Sequence, residues 1–115
     1  MADCLFCKVV AGEIPARIVT RTDDAVAFHD IDPKAPVHVL VIPTRHVPAV
    51  RAATGSDGER LLGRLLAWSA QVATQLGLDT SGYRIVANTG PDAGQSVDHL
   101  HLHVLGGRRL SWPPG

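Results

Sequence analysis

The longest periodic stretch of the chain lies in its middle. Leu61, Leu62, Leu65, Leu66, Val72, Ala73 and Leu76 recur at the three- and four-residue spacing of one helix face. Ser56-Asp57-Gly58-Glu59 precedes them, a hydroxyl followed three residues on by a carboxylate, which is the capping-box pattern; Gly77 follows as a stop. The spacing predicts one long helix whose apolar stripe must pack on a sheet or a partner. Residues 17–22 and 25–29 are rich in β-formers and meet around Thr22–Asp24, which reads as a hairpin. Val37 to Ile42 is a strongly β-prone run stopped by Pro43, and Tyr83 to Ala87 reads as a further strand. Residues 4–11 suit a short helix ending at Gly12, while 30–36 and 90–95 are turn-rich loops. The order helix, strands, helix, strands predicts an α+β fold with a largely antiparallel sheet, in one domain over 1–115.

The last strand, His99 to Leu105, carries the candidate chemistry. On a strand, alternate side chains share a face, so His99, His101 and His103 point one way, about 6–7 Å apart, while Leu100, Leu102 and Val104 point to the core. Three readings follow. The row is a polar strand face with incidental histidines; or a metal site, since alternate histidines can share a zinc; or a phosphoryl-transfer site, since neutral imidazole is a good nucleophile near pH 7. The loop just before favours the third, because Gly90, Gly94 and Ser96 bracket a turn whose N–H groups can cradle an anion.

Composition removes several classes. The 115 residues hold 11 basic and 11 acidic side chains without a charge run, so the electrostatic footprint of a nucleic-acid binder is missing. No apolar stretch approaches the roughly 20 residues of a membrane span, and the N-terminal residues lack the pattern of a secretory signal. A cytoplasmic protein is expected, contacting neither membrane nor nucleic acid. The only cysteines, Cys4 and Cys7, are three apart, which points to a metal or redox site more than to a structural disulfide.

The chain resembles the histidine triad family, and within it the histidine triad nucleotide-binding (Hint) branch. The resemblance rests on His99-Leu100-His101-Leu102-His103-Val104-Leu105, on Gly94-Gln95-Ser96 before it, and on Gly106-Gly107 and Ser111-Trp112-Pro113-Pro114-Gly115 after it. The N-terminal half agrees through Phe6, Gly12-Glu13-Ile14-Pro15, Ala27-Phe28-His29-Asp30-Ile31 and Ala35 to Pro43. The resemblance implies a five-stranded antiparallel sheet with one long and one short helix. It also implies a homodimer whose two sheets join into ten strands. It makes His101 the nucleophile, His103 a phosphate contact, and His38 a supporting histidine. Asn88, Gly94 and Ser96 fall on phosphate positions, and Asp30 on the ribose-binding acid. Leu5, Phe6, Val9, Phe28 and Ile31 fall on the base pocket, with Trp112 reaching the partner's site.

Cys4 and Cys7 resemble a subset of the family that binds zinc through two cysteines, a histidine matching His46, and the first triad histidine, His99. Such a zinc is structural, since four protein ligands leave no open position. Asp98 departs from the pattern, standing where an aromatic residue is often found. The implied activity is hydrolysis of a purine nucleoside phosphoramidate through a nucleotidyl-histidine, with no catalytic metal. The alternatives are a nucleotide-binding scaffold with low turnover, a dinucleoside polyphosphate hydrolase, and a hydrolase with zinc on the triad itself.

Overall fold

A computed structural model describes residues 3–115. The elements run α1 (Leu5–Ala11), β1 (Ile18–Arg21), β2 (Ala25–His29), β3 (Val37–Pro43), a 3-10 turn (Val50–Ala52), α2 (Gly55–Gln75), β4 (Tyr83–Val86) and β5 (Leu102–Gly106). The five strands form one sheet in the order β1-β2-β3-β5-β4, every neighbouring pair antiparallel. The fold is the expected α+β class with one long and one short helix.

Strand alternation divides the core in two. Ala25, Ala27, Val39, Val41, Leu102 and Val104 face α2, where Leu65, Val72 and Ala73 pack on them with Leu78 and Leu100. Val26, Phe28, Leu40 and Ile42 face the other way, onto Phe6 and Val9 of α1. Each fully buried Val, Leu, Ile or Phe side chain of these layers contributes about 1.5–3 kcal/mol. β3 is buried almost throughout because both of its faces are covered, which is why it reads as an unbroken apolar run. On the α2 side a groove of about 760 Å³ opens between the helix and the β1–β2 turn; Arg64 of α2 pairs with Asp24 of the turn at 3.0 Å, and no histidine lines the groove.

Three local expectations differ. α2 begins at Gly55 with Thr54 at the cap and no side-chain capping bond, so the Ser56–Glu59 capping box does not form. The entry is set instead by backbone contact: a Cβ on Gly58 would lie 2.2 Å from the Ala53 carbonyl carbon, so the chain passes closer than any side chain permits. The turn at Val50–Ala52 carries no periodic signal in the sequence. The last strand is shorter than read, because the ladder to β3 begins only at Leu102, opposite Val41. His99 and His101 therefore stand ahead of the sheet rather than within it.

Candidate active site and metal centre

His38, His101 and His103 gather on the α1 side of the sheet. Leu40 of β3 pairs with His103 of β5, and His38, two residues before Leu40, shares that face. The hydrogen bonds assign each ring a tautomer. His101 donates its Nδ1–H to the His99 carbonyl at 2.7 Å, which leaves the lone pair on Nε2. His38 Nδ1 accepts the Lys34 backbone N–H at 3.0 Å, so its proton sits on Nε2. That Nε2–H donates to His103 Nδ1 at 2.8 Å, and the His103 proton is consequently on Nε2. Two imidazole nitrogens on one tetrahedral zinc stand about 3.3 Å apart; the shorter His38–His103 separation is that of a hydrogen bond. The His101 and His103 ring centroids are 5.0 Å apart, placing an unprotonated nitrogen beside a ring with an N–H donor.

Burial disfavours the charged form of His38 and His103. His103 is pushed down to about 4, first by desolvation and then by repulsion from His101 and His38. Desolvation also lowers His38, against the pull of the Asp30 carboxylate. Asp30 Oδ2 lies 3.5 Å from His38 Nε2, and its Oδ1 accepts the Asp32 N–H at 2.8 Å. The Asp30 backbone N–H donates to the His38 carbonyl at 2.9 Å, fixing the acid beside the ring from both ends.

The loop ahead of the histidines turns on Gly90 and Gly94, whose φ values of 84° and 77° favour residues without a Cβ. Gln95 fastens it. Its Oε1 accepts the Gly90 N–H at 3.0 Å, and its Nε2 donates to the carbonyls of Pro48 at 2.8 Å and Val97 at 3.0 Å. Gly94 and Ser96 are exposed, and Asn88 is half-buried two residues past Val86, which pairs with His103. Phe6, Val9 and Phe28 are buried together, and the Phe6 ring stands edge-on to His101 with centroids 5.1 Å apart. Leu5 is half exposed, while Ile31 at 97% and Trp112 at 79% stand in solvent. Trp112 lies against its own chain, with the Arg84 guanidinium 5.8 Å above its ring.

A second cluster gathers around His99, whose ring also stands edge-on to Phe6. The ligand atoms of Cys4, Cys7, His46 and His99 are all within 4.8 Å of one another. Cys4 caps α1, its Sγ accepting the Cys7 N–H at 3.3 Å, so the helix start brings both sulfurs to one side. His99 Nδ1 lies 3.3 Å from Cys4 Sγ and 3.6 Å from Cys7 Sγ, and His46 Nδ1 lies 3.4 Å from Cys7 Sγ. A tetrahedral zinc with bonds of about 2.3 Å to sulfur and 2.05 Å to nitrogen separates sulfur from nitrogen by about 3.6 Å. His99 donates its Nε2–H to the Pro43 carbonyl at 2.9 Å, which directs the Nδ1 lone pair at the thiols. Donor chemistry, spacing and outer hydrogen bond all fit zinc.

An HIT domain profile matches residues 11–110. The chain belongs to the HIT domain family. An uncharacterised HIT-like protein of Synechocystis is 50% identical over 98% of this chain and 97% of its own length. A HIT family hydrolase from Legionella pneumophila has the same fold at a TM-score of 0.94, with 44% identity over 98% of this chain and all of the other. A histidine triad nucleotide-binding protein from Candida albicans superposes at 0.79, with 31% identity over 96% of this chain and 83% of its own. Among the described residues of this HIT domain, no helix is long and apolar enough to cross a membrane.

Sequence reasoning gave Gln95 no role, although a long amide between glycines and an exposed serine is a recognisable loop fastener. It also missed the Asp30–His38 contact, which has no local signal because the two residues meet only across the 30–38 loop. The atoms that set the tautomers, Lys34 N–H and the His99 and Pro43 carbonyls, belong to the backbone and are invisible to residue type.

Proposed function

We propose that this HIT protein is a nucleotide hydrolase of the Hint type, cleaving purine nucleoside phosphoramidates through a nucleotidyl-His101 intermediate. The observation that carries the reading is the His101 Nδ1–H bond to the His99 carbonyl, which leaves Nε2 as a free nucleophile beside the His103 donor. Nε2 attacks the α-phosphorus in line; a P–N bond to the enzyme forms as the P–N bond to the amine breaks, and the amine leaves with a proton taken from solvent water, which the water consumed in the next step returns. Water then attacks phosphorus, the bond to His101 breaks, and a nucleoside monophosphate departs. His103 Nε2–H, Ser96, Asn88 and the amides of the 90–95 loop stabilise the phosphoryl oxygens. His38, tied to Lys34, keeps His103 in the donor tautomer. Asp30 receives the ribose hydroxyls, and Phe6, Val9 and Phe28 line the base pocket with Leu5 and Ile31 at its open rim.

Cys4, Cys7, His46 and His99 would hold a zinc, which supplies a structural tie and no open coordination position. The exposed Leu66 of α2 and the edge strand β4, with Tyr83 outward, support a homodimer in which the sheets join and Trp112 borders the partner's site. Light scattering tests the assembly, a monomer at micromolar concentration refuting it. The catalytic reading is tested by rapid-quench mass spectrometry with an adenosine phosphoramidate. A transient nucleotidyl adduct on the His101 peptide, absent in His101→Ala, is expected. An adduct on His103, or wild-type bursts from His101→Gly, overturns it.

A further inference from the structure

The carbonyl that orients His101 belongs to a residue that the sheet does not hold. The β3–β5 ladder begins at Leu102, so the His99 peptide lies outside it. His99 is wholly buried, and its polar groups leave in three directions: Nε2–H to the Pro43 carbonyl, Nδ1 to the Cys4 and Cys7 sulfurs, and the carbonyl to His101 Nδ1–H. The next amide, Leu100 N–H, bonds the Val47 carbonyl at 2.6 Å, one residue from His46. The four metal-ligating residues therefore come from the start of α1, the segment after β3, and the peptide that aims the nucleophile. Phe6, between the two cysteines, touches both rings edge-on, with centroids 6.0 Å from His99 and 5.1 Å from His101. A cavity of about 490 Å³, lined in part by Cys4, His46, Ser96 and Asp98, opens beside the cluster and gives solutes access to it.

We propose that metal occupancy of Cys4, Cys7, His46 and His99 sets the orientation of His101, so that zinc loading governs the rate of nucleophilic attack rather than only the stability of the fold. The inference rests on the assignments of His101 as nucleophile and of the cluster as a zinc site. Without the metal, His99 Nδ1 and two thiols face one another with no bond among them stronger than a weak sulfur contact. The His99 ring then keeps only its bond to the Pro43 carbonyl, and the 99–100 peptide plane only its Leu100 N–H bond to Val47, so that the plane, and the carbonyl with it, tilts about a single anchor. His101, released from that acceptor, samples the other tautomer and other ring orientations. A displacement of about 1 Å at a reacting group costs on the order of 10²-fold in rate. The Gln95-fastened loop and the Asp30–His38 pair take no bond from the cluster, so binding of the nucleotide is affected less than its turnover. His99 is in this sense a positioning residue.

The test compares zinc-loaded wild type, the same protein stripped with a chelator, and the stripped protein resupplied with zinc. His46→Ala provides a variant lacking a ligand remote from His101. Two quantities are read: the ring Nδ1–H proton resonance of His101 by NMR, and kcat and KM for an adenosine phosphoramidate. Zinc-loaded protein is expected to show a sharp, exchange-protected Nδ1–H signal. Stripping broadens or removes that signal and lowers kcat at least tenfold while KM moves less than threefold; zinc restores both, and His46→Ala resembles the stripped form. Should His46→Ala fail to fold, the reversible stripping of wild type decides alone. A protected signal and full kcat in zinc-free folded protein overturn the inference, as does a chain that never takes up zinc yet keeps the signal. If the phosphoramidate is not hydrolysed, the functional reading fails, and the resonance still decides whether the metal holds His101.

Discussion

Lowering the pH from 7.5 to 5.5 tests the buried histidine pair directly. An unfolded histidine titrates near 6.5, whereas His103 in the fold is held down to about 4. Below 6.5 the unfolded chain takes up a proton that the folded chain refuses, so the unfolded state is favoured as acid is added. Stability is fully present above the unfolded value and is lost as pH falls from 6.5 toward 4. For this one group the loss between pH 7.5 and 5.5 is about 1.3 kcal/mol, and His38, lowered in the same direction, adds to it. Urea unfolding at the two pH values, at constant zinc, measures these contributions together with that of His99, which burial lowers in the same direction. The same pair of measurements on His103→Gln, which keeps an acceptor for the His38 Nε2–H, isolates the His103 part. The variant is expected to lose about 1.3 kcal/mol less than wild type over the interval. Equal losses in the two proteins would show that His103 is not held neutral by its surroundings.

Gly58→Ala is expected to destabilise by about 1–2 kcal/mol in urea, because the clash with the Ala53 backbone outweighs the helix-propensity gain of about 1 kcal/mol. Gln95→Ala removes three loop-fastening bonds and should lower kcat/KM for an adenosine phosphoramidate by roughly 10–100-fold; an unchanged value refutes the loop's role. Deleting 110–115 removes the Arg84 bond to the Ser111 carbonyl and the Trp112 contact, both exposed. The deletion should shift the urea-derived stability by less than about 0.5 kcal/mol while changing the relative kcat/KM of phosphoramidates with different amines.

The long helix was legible from its hydrophobic periodicity, and the short helix and five strands from runs of suitable residues bounded by turn signals, β3 as an unbroken apolar run because both of its faces are covered. What failed was local and set by tertiary contacts. The capping box at Ser56 gave way to the Gly58–Ala53 approach, a steric fact with no periodic trace. The final strand was read three residues too long at its start, because alternation persists from His99 although pairing with β3 stops at Leu102. Half of the candidate metal site was legible in the Cys4–Cys7 spacing. The union of its four residues was not: the Cys7 contacts to His46 and His99 span 39 and 92 residues, and only the family resemblance joined them in advance. The histidine row was plain in the sequence and the resemblance implied a separate role for each member, whereas the tautomers of His99, His101 and His103 came only from the hydrogen bonds.

That last feature limits how the site can be altered. Three main-chain atoms place the four fixed protons: Lys34 N–H for His38 and, through the His38 ring, for His103; the His99 carbonyl for His101; the Pro43 carbonyl for His99 itself. Exchange of a neighbouring side chain leaves all three anchors in place, so the arrangement of protons is inherited with the path of the chain. It changes only when that path changes, or when an anchor is chemically deleted. Lys34→Pro is the single substitution here that deletes one: with no N–H at residue 34, the His38 ring is free to carry its proton on Nδ1, and the directed line of donors through His103 can reverse.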